Sequence, residues 1–207
     1  MPQGDSQPAS HTIEVAFSLR GERIPVDHGY ALFAALSRLP VAGPWLHASE
    51  AIGIHLIRGQ YVGDGLLCLT EHSRLVVRLA AGELPSLLPI AGKTLELDGH
   101  RIGIGVPQTS LLRPASALYA HLVTTRNGQD EARFDTEIRH QLDALGIAGQ
   151  ATRGKRRVFR VKDKRVVAHS VLVSGLTAEE SIRLQEAGLG GRRKMGCGMF
   201  VPTEKAP

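Results

Sequence analysis

The sequence is poor in cysteine and in aromatic residues, and it has no long apolar run. Cys68 and Cys197 are far apart and outside any CxxC motif, which indicates a reducing compartment and argues against a zinc site. No stretch approaches the roughly 18 apolar residues of a membrane-spanning helix, and residues 1–10 lack the apolar segment of a secretory signal. We therefore predict a cytoplasmic protein with no metal, no cofactor and no membrane partner. Aromatic residues make up 4%, too few for a protein that recognises nucleic acid mainly by stacking on bases.

Positive charge is concentrated in one part of the chain. Residues 151–207 carry 13 Lys and Arg against 5 Asp and Glu, a net charge of +8, whereas residues 1–150 carry −3. A solvent-exposed basic hairpin would explain this pattern, but together with the loop described next it favours a polyanion-binding surface. Eight cations form the densest group: Arg153, Lys155, Arg156, Arg157, Arg160, Lys162, Lys164 and Arg165.

A loop close to the C-terminus, from Gly188 to Gly198, combines five glycines with the consecutive cations Arg192, Arg193 and Lys194. Glycine lets the backbone expose its N–H groups and approach a ligand closely, and the cations neutralise an anion. Two familiar phosphate loops do not fit. A dinucleotide fingerprint precedes a helix, whereas this loop follows one, and no Gly-Lys-Ser/Thr closes the run. We predict that the loop binds a phosphate backbone.

Hydrophobic patterns predict the order β-α-β-β-α-β in the first half of the chain. In chain order we expect a strand at 13–19, a helix capped by Asp27 and ending before Pro40, apolar runs at 52–57 and 66–69, a helix at 73–81, and a strand or hairpin at 94–106 turning at Asp98-Gly99.

The second half repeats this order and leads to a fold prediction. Its elements are a strand at 116–125, a helix at 130–145, a basic strand pair at 153–161 and 165–173, a helix opened by a capping box at Thr177, the glycine-rich loop and a closing strand at 199–201. We predict an α+β protein of two tandem ferredoxin-like (RRM-like, βαββαβ) domains with a C-terminal glycine-rich loop. The domains are expected at residues 12–110 and 111–207, after a disordered tail at residues 1–11.

This pattern resembles a known family, the CRISPR-associated endoribonucleases of the RAMP superfamily, which process precursor crRNA. Members are tandem ferredoxin-like chains that end in Gly-x-Gly, five residues and Gly-x-Gly. Residues 25–38, 45–47 and 53–59 are also similar to the first helix and following loop of that family. The four glycine positions are occupied by Gly188, Gly190, Gly196 and Gly198.

The resemblance implies a reaction and its catalytic residues. A histidine just after the first helix is usually catalytic in that family, and His47 matches it. The implied reaction is attack of the RNA 2′-hydroxyl on the adjacent phosphate, which leaves a 2′,3′-cyclic phosphate and a 5′-hydroxyl without a metal ion. An imidazole can act as general base or acid near neutral pH. Ser37 stands where the family often has a tyrosine, so Ser37 and His55 are the expected partners of His47. Weaker candidates nearby are Ser49, Arg58 and His28.

Two functions follow from the resemblance. In the first, the chain is an endoribonuclease for CRISPR repeat RNA, and the basic hairpin and the glycine-rich loop hold the RNA phosphates. In the alternative, it is a non-catalytic RNA-binding subunit of a CRISPR effector complex. The expected partner is repeat RNA or crRNA in both cases, with other effector subunits as further candidates.

Overall fold

The computed structural model describes residues 12–203 of the 207-residue chain. The tail predicted at residues 1–11 lies outside the described residues. The strands are β1 (Thr12–Arg20), β2 (Arg23–Pro25), β3 (Gly53–Ile54), β4 (Gln60–Tyr61), β5 (Leu66–Cys68), β6 (Arg74–Ala80), β7 (Thr94–Leu97), β8 (His100–Leu111), β9 (Ala117–Val123), β10 (Gln150–Val161), β11 (Lys164–Ser174) and β12 (Val201–Pro202). The α-helices are α1 (Gly29–Ser37), α2 (Gly43–Ala48), α3 (Leu84–Leu87), α4 (Glu131–Ala144) and α5 (Ala178–Ala187).

The first half is built on an antiparallel sheet of order β3-β6-β1-β8-β7. Within it, β8-β1-β6-β3 has the strand order of a ferredoxin-like fold, and β7 extends the sheet as a hairpin with β8. Val15 and Phe17 of β1 alternate with more exposed residues and pack in one apolar cluster with Leu32 and Leu36 of α1. The alternation that predicted the first strand is therefore the burial pattern of a sheet covered on one face. A small sheet, β2-β5-β4, lies beside this unit.

The helix predicted at 73–81 is wrong, because this segment is strand β6. Leu75, Val77 and Leu79 are buried at every second position, and β6 lies between β1 and β3. The helical turns follow instead, at residues 81–90. Pro85 lies in the first turn of α3, where its missing N–H leaves no helical hydrogen bond unmade.

The cap predicted at Asp27 is also wrong. His28 is the residue before α1, and no side chain caps this helix. The Asp27 Oδ2 atom accepts a hydrogen bond from the backbone N–H of Arg160, at 2.8 Å. Asp27 therefore joins the start of α1 to the hairpin of β10 and β11 from the other half of the chain.

The second half has the sheet order β10-β11-β9-β12, which is the ferredoxin-like order without additions. Phe134, Ile138 and Leu142 of α4 are buried with Leu184 of α5 in one cluster against this sheet. The capping box at Thr177 is present. The prediction of two tandem ferredoxin-like units in an α+β chain is confirmed. The domain division after residue 110 stays a prediction, and β8 runs to Leu111.

Within residues 12–203, no helix is long and apolar enough to cross a membrane.

Candidate active site

His47 lies in the last turn of α2 and is exposed. The helix α2 runs back along α1. At its start, Gly43 lies so close to the Ser37 carbonyl that a Cβ at position 43 would collide with it. At its end, the His47 ring meets the Phe33 ring edge to face, with centroids 5.7 Å apart. The helix pair therefore fixes the His47 ring on the first half of α1 while leaving it accessible to solvent.

The glycine-rich loop of the second half reaches this histidine. The Nζ atom of Lys194 lies 2.5 Å from the carbonyl oxygen of Leu46 and 3.4 Å from that of His47. Next to it, the Met195 carbonyl packs so closely on Gly29 of α1 that position 29 has no room for a side chain. The ammonium group of Lys194 is thus held at the C-terminal end of α2, the helix that carries the exposed His47.

The four signature glycines determine the backbone conformation and the packing of the loop. Gly188, Gly190, Gly196 and Gly198 all have φ between 65° and 83°, and a Cβ at any of them would meet neighbouring atoms. Their N–H groups donate within the protein, for example from Gly190 to the Oε1 atom of Gln141 at 2.7 Å. The interpretation that these N–H groups face a ligand is therefore not supported, and the loop presents side chains instead.

The three cations of the loop point to different places. Lys194 reaches α2, as described. Arg193 is largely buried near Gly53, and burial, together with the charge of Arg78, lowers its pKa to about 10. Arg192 has a left-handed backbone conformation and is exposed. It lines a groove of about 530 Å³ together with Arg126, Lys164 and Arg165.

The eight cations of the hairpin do not form one surface. Arg153 is paired with two carboxylates of α4, Glu131 at 3.0 Å and Asp135 at 2.9 Å. Arg157 lines a cleft of about 590 Å³ between the two halves. The other six are exposed: Lys155, Arg156, Arg160, Lys162, Lys164 and Arg165. These side chains point in different directions because successive residues of a strand face opposite sides of the sheet and because the pairing register shifts between Arg153 and Arg156.

Ser37 and His55 have surroundings unlike those of His47. Ser37 ends α1 beside the start of α2, and its hydroxyl is buried without a hydrogen-bond partner among the described residues. His55 follows β3, and its Nε2 atom lies 3.0 Å from Glu14 Oε1. Burial lowers the pKa of His55, against the opposing effect of Glu14.

His28, a weaker catalytic candidate in the sequence, is held by structural contacts before α1. It is 1% exposed, and its Nδ1 lies 2.8 Å from the Pro25 carbonyl, while Nε2 accepts from the Ile57 N–H at 2.9 Å. Both ring nitrogens are thus used inside the first half.

A buried arginine that we did not single out in the sequence joins the two halves. Arg78 of β6 is 1% exposed and donates to Glu14 Oε1 at 2.6 Å within the first half. It also donates to two carbonyls of the second half, Gln185 in α5 and Phe200 beyond the loop. Burial opposes the charge of Glu14, but hydrogen bonding and charge from His55 and Arg78 lower the pKa of this carboxyl to about 2. Arg78 therefore holds the loop-bearing half against the half that carries His47.

Tyr30 is a second residue for which we predicted no catalytic role. The helices α1 and α2 run antiparallel: Gly43 at the start of α2 contacts Ser37, and His47 near the end of α2 contacts Phe33. Tyr30 lies one turn before Phe33 on the same face of the helix. Tyr30 therefore lies on the Phe33 face of α1, toward the helix start, whereas Ser37 adjoins the start of α2. The signal in the sequence was the i, i+3 spacing of Tyr30 and Phe33.

The described residues contain no group of three or more His, Cys, Asp or Glu side chains arranged to hold a metal ion.

Comparisons with known proteins agree with this architecture. Residues 13–205 match the model of the family described as Cas6 Crispr. A relative from Myxococcus xanthus (strain DK1622), named CRISPR-associated endonuclease Cas6, is 38% identical over 195 residues, covering 94% of this chain and 83% of the relative. A solved structure named CRISPR associated protein Cas6 superposes with a TM-score of 0.68 at 12% identity, covering 93% of this chain and all of that one. A Cas6-related protein from Pyrococcus furiosus gives a TM-score of 0.64 at 12% identity, with 94% of this chain and 100% of that one covered. At such low identity the solved structures support the fold alone, whereas the family match and the Myxococcus relative span nearly the whole sequence. The chain belongs to the Cas6 family of CRISPR-associated proteins.

Proposed function

We propose that the protein is an endoribonuclease that cuts CRISPR repeat RNA into mature crRNA. The Myxococcus relative, which is named an endonuclease, supports this assignment. The observation that carries it is the placement of a cation at the end of the helix that bears an exposed imidazole: Lys194 Nζ lies 2.5 Å from the carbonyl of Leu46, the residue before His47. This pairing suits attack of a 2′-hydroxyl on the adjacent phosphate, which yields a 2′,3′-cyclic phosphate and a free 5′-hydroxyl. The proposed location is the cytoplasm.

His47 serves as the proton-transfer group of this reaction. Its ring is accessible at the end of α2 and accepts the proton of the attacking 2′-hydroxyl as general base. A positioned group of this kind contributes roughly 10²–10⁴-fold to the rate. Tyr30, one turn from Phe33 on the same face of α1, has a hydroxyl that can donate a proton to the departing 5′ oxygen.

Lys194 stabilises the charge that builds up on the phosphorane. An ammonium group has three N–H donors. The carbonyls of Leu46 and His47 orient the group from the protein side, which leaves a donor for a nonbridging phosphate oxygen. A fixed cation of this kind needs no rearrangement during the reaction, so its stabilisation acts fully on the transition state. No step of this mechanism requires a metal ion.

The RNA lies across residues of both halves. The exposed cations of the hairpin and the groove of Arg126, Lys164, Arg165 and Arg192 suit the phosphates of a stem, which proteins hold by backbone contacts. Arg153 contributes less than predicted, because Glu131 and Asp135 already occupy its guanidinium. The glycines contribute to RNA binding by setting the conformation of the loop, not by donating their N–H groups to phosphate. The roles predicted for Ser37 and His55 stay predictions; we propose Tyr30 as the partner of His47 because the Ser37 hydroxyl is buried and His55 faces Glu14.

A cleavage assay on labelled repeat RNA with excess EDTA tests the proposal. The parent protein cuts, and the downstream fragment accepts label from polynucleotide kinase without prior phosphatase treatment because it carries a 5′-hydroxyl. His47→Ala abolishes cutting and leaves binding within about twofold. The matched control His100→Ala, at the β7–β8 turn, cuts normally.

Lys194→Met separates charge stabilisation from binding. We expect a loss of roughly 10²-fold in single-turnover cleavage with a small change in affinity, and partial recovery in Lys194→Arg. Binding of repeat RNA without cutting by the parent protein would refute the nuclease and favour the non-catalytic subunit of an effector complex. Normal cutting by His47→Ala would refute the mechanism alone.

A further inference from the structure

The helix that carries His47, α2, is too short to fix its own orientation. It has six residues, Gly43–Ala48, and no side chain caps its start. A helix of this length is not stable by itself in water, so its position is set by contacts with the rest of the protein. The direction of the His47 imidazole therefore depends on the contacts that hold α2 from its sides.

Three consecutive residues of α2 project in three directions. At 3.6 residues per turn, successive side chains are about 100° apart around the helix axis. Leu46 is 2% exposed and belongs to the apolar core of the first half. Trp45 and His47 lie on either side of it, and the His47 ring meets the ring of Phe33. A rotation of α2 about its axis would thus move Trp45 and His47 together.

The indole of Trp45 is bound to a segment that lies far away in the sequence. Its Nε1 atom donates a hydrogen bond to Glu83 Oε1 at 3.2 Å, and its ring packs on the core of the first half. Glu83 stands directly before α3, yet its side chain makes no capping bond to that helix. A hydrogen bond to a carboxylate is stronger than one between neutral groups, and both residues are partly buried. The bond therefore holds one side of α2 to the turn that follows β6.

Neither residue of this pair is suited to a direct part in the proposed reaction. The single polar atom of Trp45 is bonded to Glu83, and the indole ring packs on the core. Glu83 carries a negative charge, which repels the phosphates of an RNA. Any effect of the pair on cleavage must therefore pass through the orientation of α2.

We propose that Trp45 and Glu83 are positioning residues for His47. With Leu46 fixed in the core, the bond between Trp45 and Glu83 sets the rotation of α2 and so holds the imidazole against Phe33. A displacement of about 1 Å in a catalytic group can cost about 10²-fold in rate. The inference rests on the proposed function, because it concerns the group that transfers the proton.

Single-turnover cleavage of labelled repeat RNA, together with a separate measurement of affinity, tests this role. Trp45→Phe keeps an aromatic ring and removes the N–H donor, whereas Glu83→Leu removes the acceptor. We expect each variant to lower the cleavage rate about 10-fold and to leave affinity within about twofold. The double variant should be no slower than either single variant, because both changes remove the same bond.

Two matched variants serve as controls for this assay. Glu83→Gln keeps a carbonyl oxygen that accepts from the indole, so it should retain most of the parent rate. Glu22→Leu removes an exposed carboxylate at the β1–β2 turn and should cut like the parent. Urea unfolding is measured for every variant. A purely structural role of the bond would lower the urea midpoint and leave the rate of the folded protein unchanged.

The fluorescence of Trp45 gives a second readout, since it is the only tryptophan in the chain. Loss of the hydrogen bond lets the indole move more freely. Glu83→Leu should therefore lower the fluorescence anisotropy of the folded protein, whereas Glu83→Gln should leave it unchanged. Equal anisotropy in the parent and in Glu83→Leu would contradict the proposed anchoring of α2.

The inference is overturned if Trp45→Phe cuts at the parent rate, or if Glu83→Gln is as slow as Glu83→Leu. It is also overturned if Trp45→Phe weakens RNA binding without slowing cleavage, which would make Trp45 a contact for a base. Failure of the proposed function looks different, because the parent protein itself then cuts no repeat RNA and the inference falls with it. Cutting by the parent and equal cutting by the variants refute the inference alone.

Discussion

Replacement of Arg78 by Met removes the buried contact that joins the two halves. Arg78 is 1% exposed, and its guanidinium donates hydrogen bonds to Glu14 and to the carbonyls of Gln185 and Phe200. Removing one partner of a buried ion pair costs about 3–5 kcal/mol, and the lower end of this range applies because the Glu14 side chain is 24% exposed and keeps His55 beside it. Each carbonyl left without a donor adds about 1 kcal/mol, and the Met side chain recovers part of the packing. We expect a net loss of about 4 kcal/mol in the free energy of unfolding, a large share of the roughly 5–15 kcal/mol typical of native proteins.

Urea unfolding followed by circular dichroism measures this loss, and a neighbour on the same strand gives the control. Among residues 12–203, Arg74 donates only to the carbonyls of Glu71 and Ser73, so Arg74→Met should cost less than about 1 kcal/mol. Adding Glu14→Gln to Arg78→Met should recover part of the lost stability, since the neutral amide leaves no unpaired charge at this position. A loss for Arg78→Met no larger than that of Arg74→Met would refute the reasoning. Repeat-RNA cleavage should fall even under conditions where Arg78→Met remains folded.

Three further predictions concern single positions. Gly190→Ala should destabilise the protein by about 2–4 kcal/mol, because Gly190 has φ 72° and a Cβ there collides with the Thr124 carbonyl, whereas Gly191→Ala has open space and should be nearly neutral by urea unfolding. Burial lowers the pKa of His28 below its unfolded value, so the stability it contributes is present above about pH 6.5 and is lost as pH falls; the urea midpoint should drop between pH 7.5 and 5.5, and by less in His28→Gln. Burial raises the pKa of Cys197 to about 12, so a thiol reagent should react with the half-buried Cys68 alone in the native protein and with both cysteines in urea. Rapid reaction of two thiols in the native protein would contradict this.

Most helices and strands could be predicted because the spacing of their apolar residues fits a helix or a strand, but not both. Strand β6 shows why some could not. Leu75, Val76 and Leu79 fit one face of a helix, while Leu75, Val77 and Leu79 fit one face of a strand, and adjacent valines satisfy both patterns. The choice is made by partners far along the chain, since β6 is buried between β1 and β3. A signal for Arg78 was nevertheless present, as a charge within the apolar run from Leu75 to Leu79.

The candidate site was partly visible in the sequence. The glycine spacing and the position of His47 indicated where to look, but the split of the hairpin cations depends on a register shift between Arg153 and Arg156 that no local pattern announces. The role of Asp27 was missed because its partner, the Arg160 backbone, lies more than a hundred positions away. Local capping rules cannot anticipate such a contact.

In the proposed mechanism, the placement of Lys194 against the Leu46 carbonyl means that the proton-transfer group and its cation come from different halves of the polypeptide. Under that proposal neither half expressed alone contains a complete reaction centre, so the cleavage rate measures how well the halves pack on each other. Two fragments divided after Leu111, each inactive, should recover turnover to the extent that they reassemble. A binding partner that shifts one half against the other would then tune crRNA production from a distance, without covering the catalytic surface.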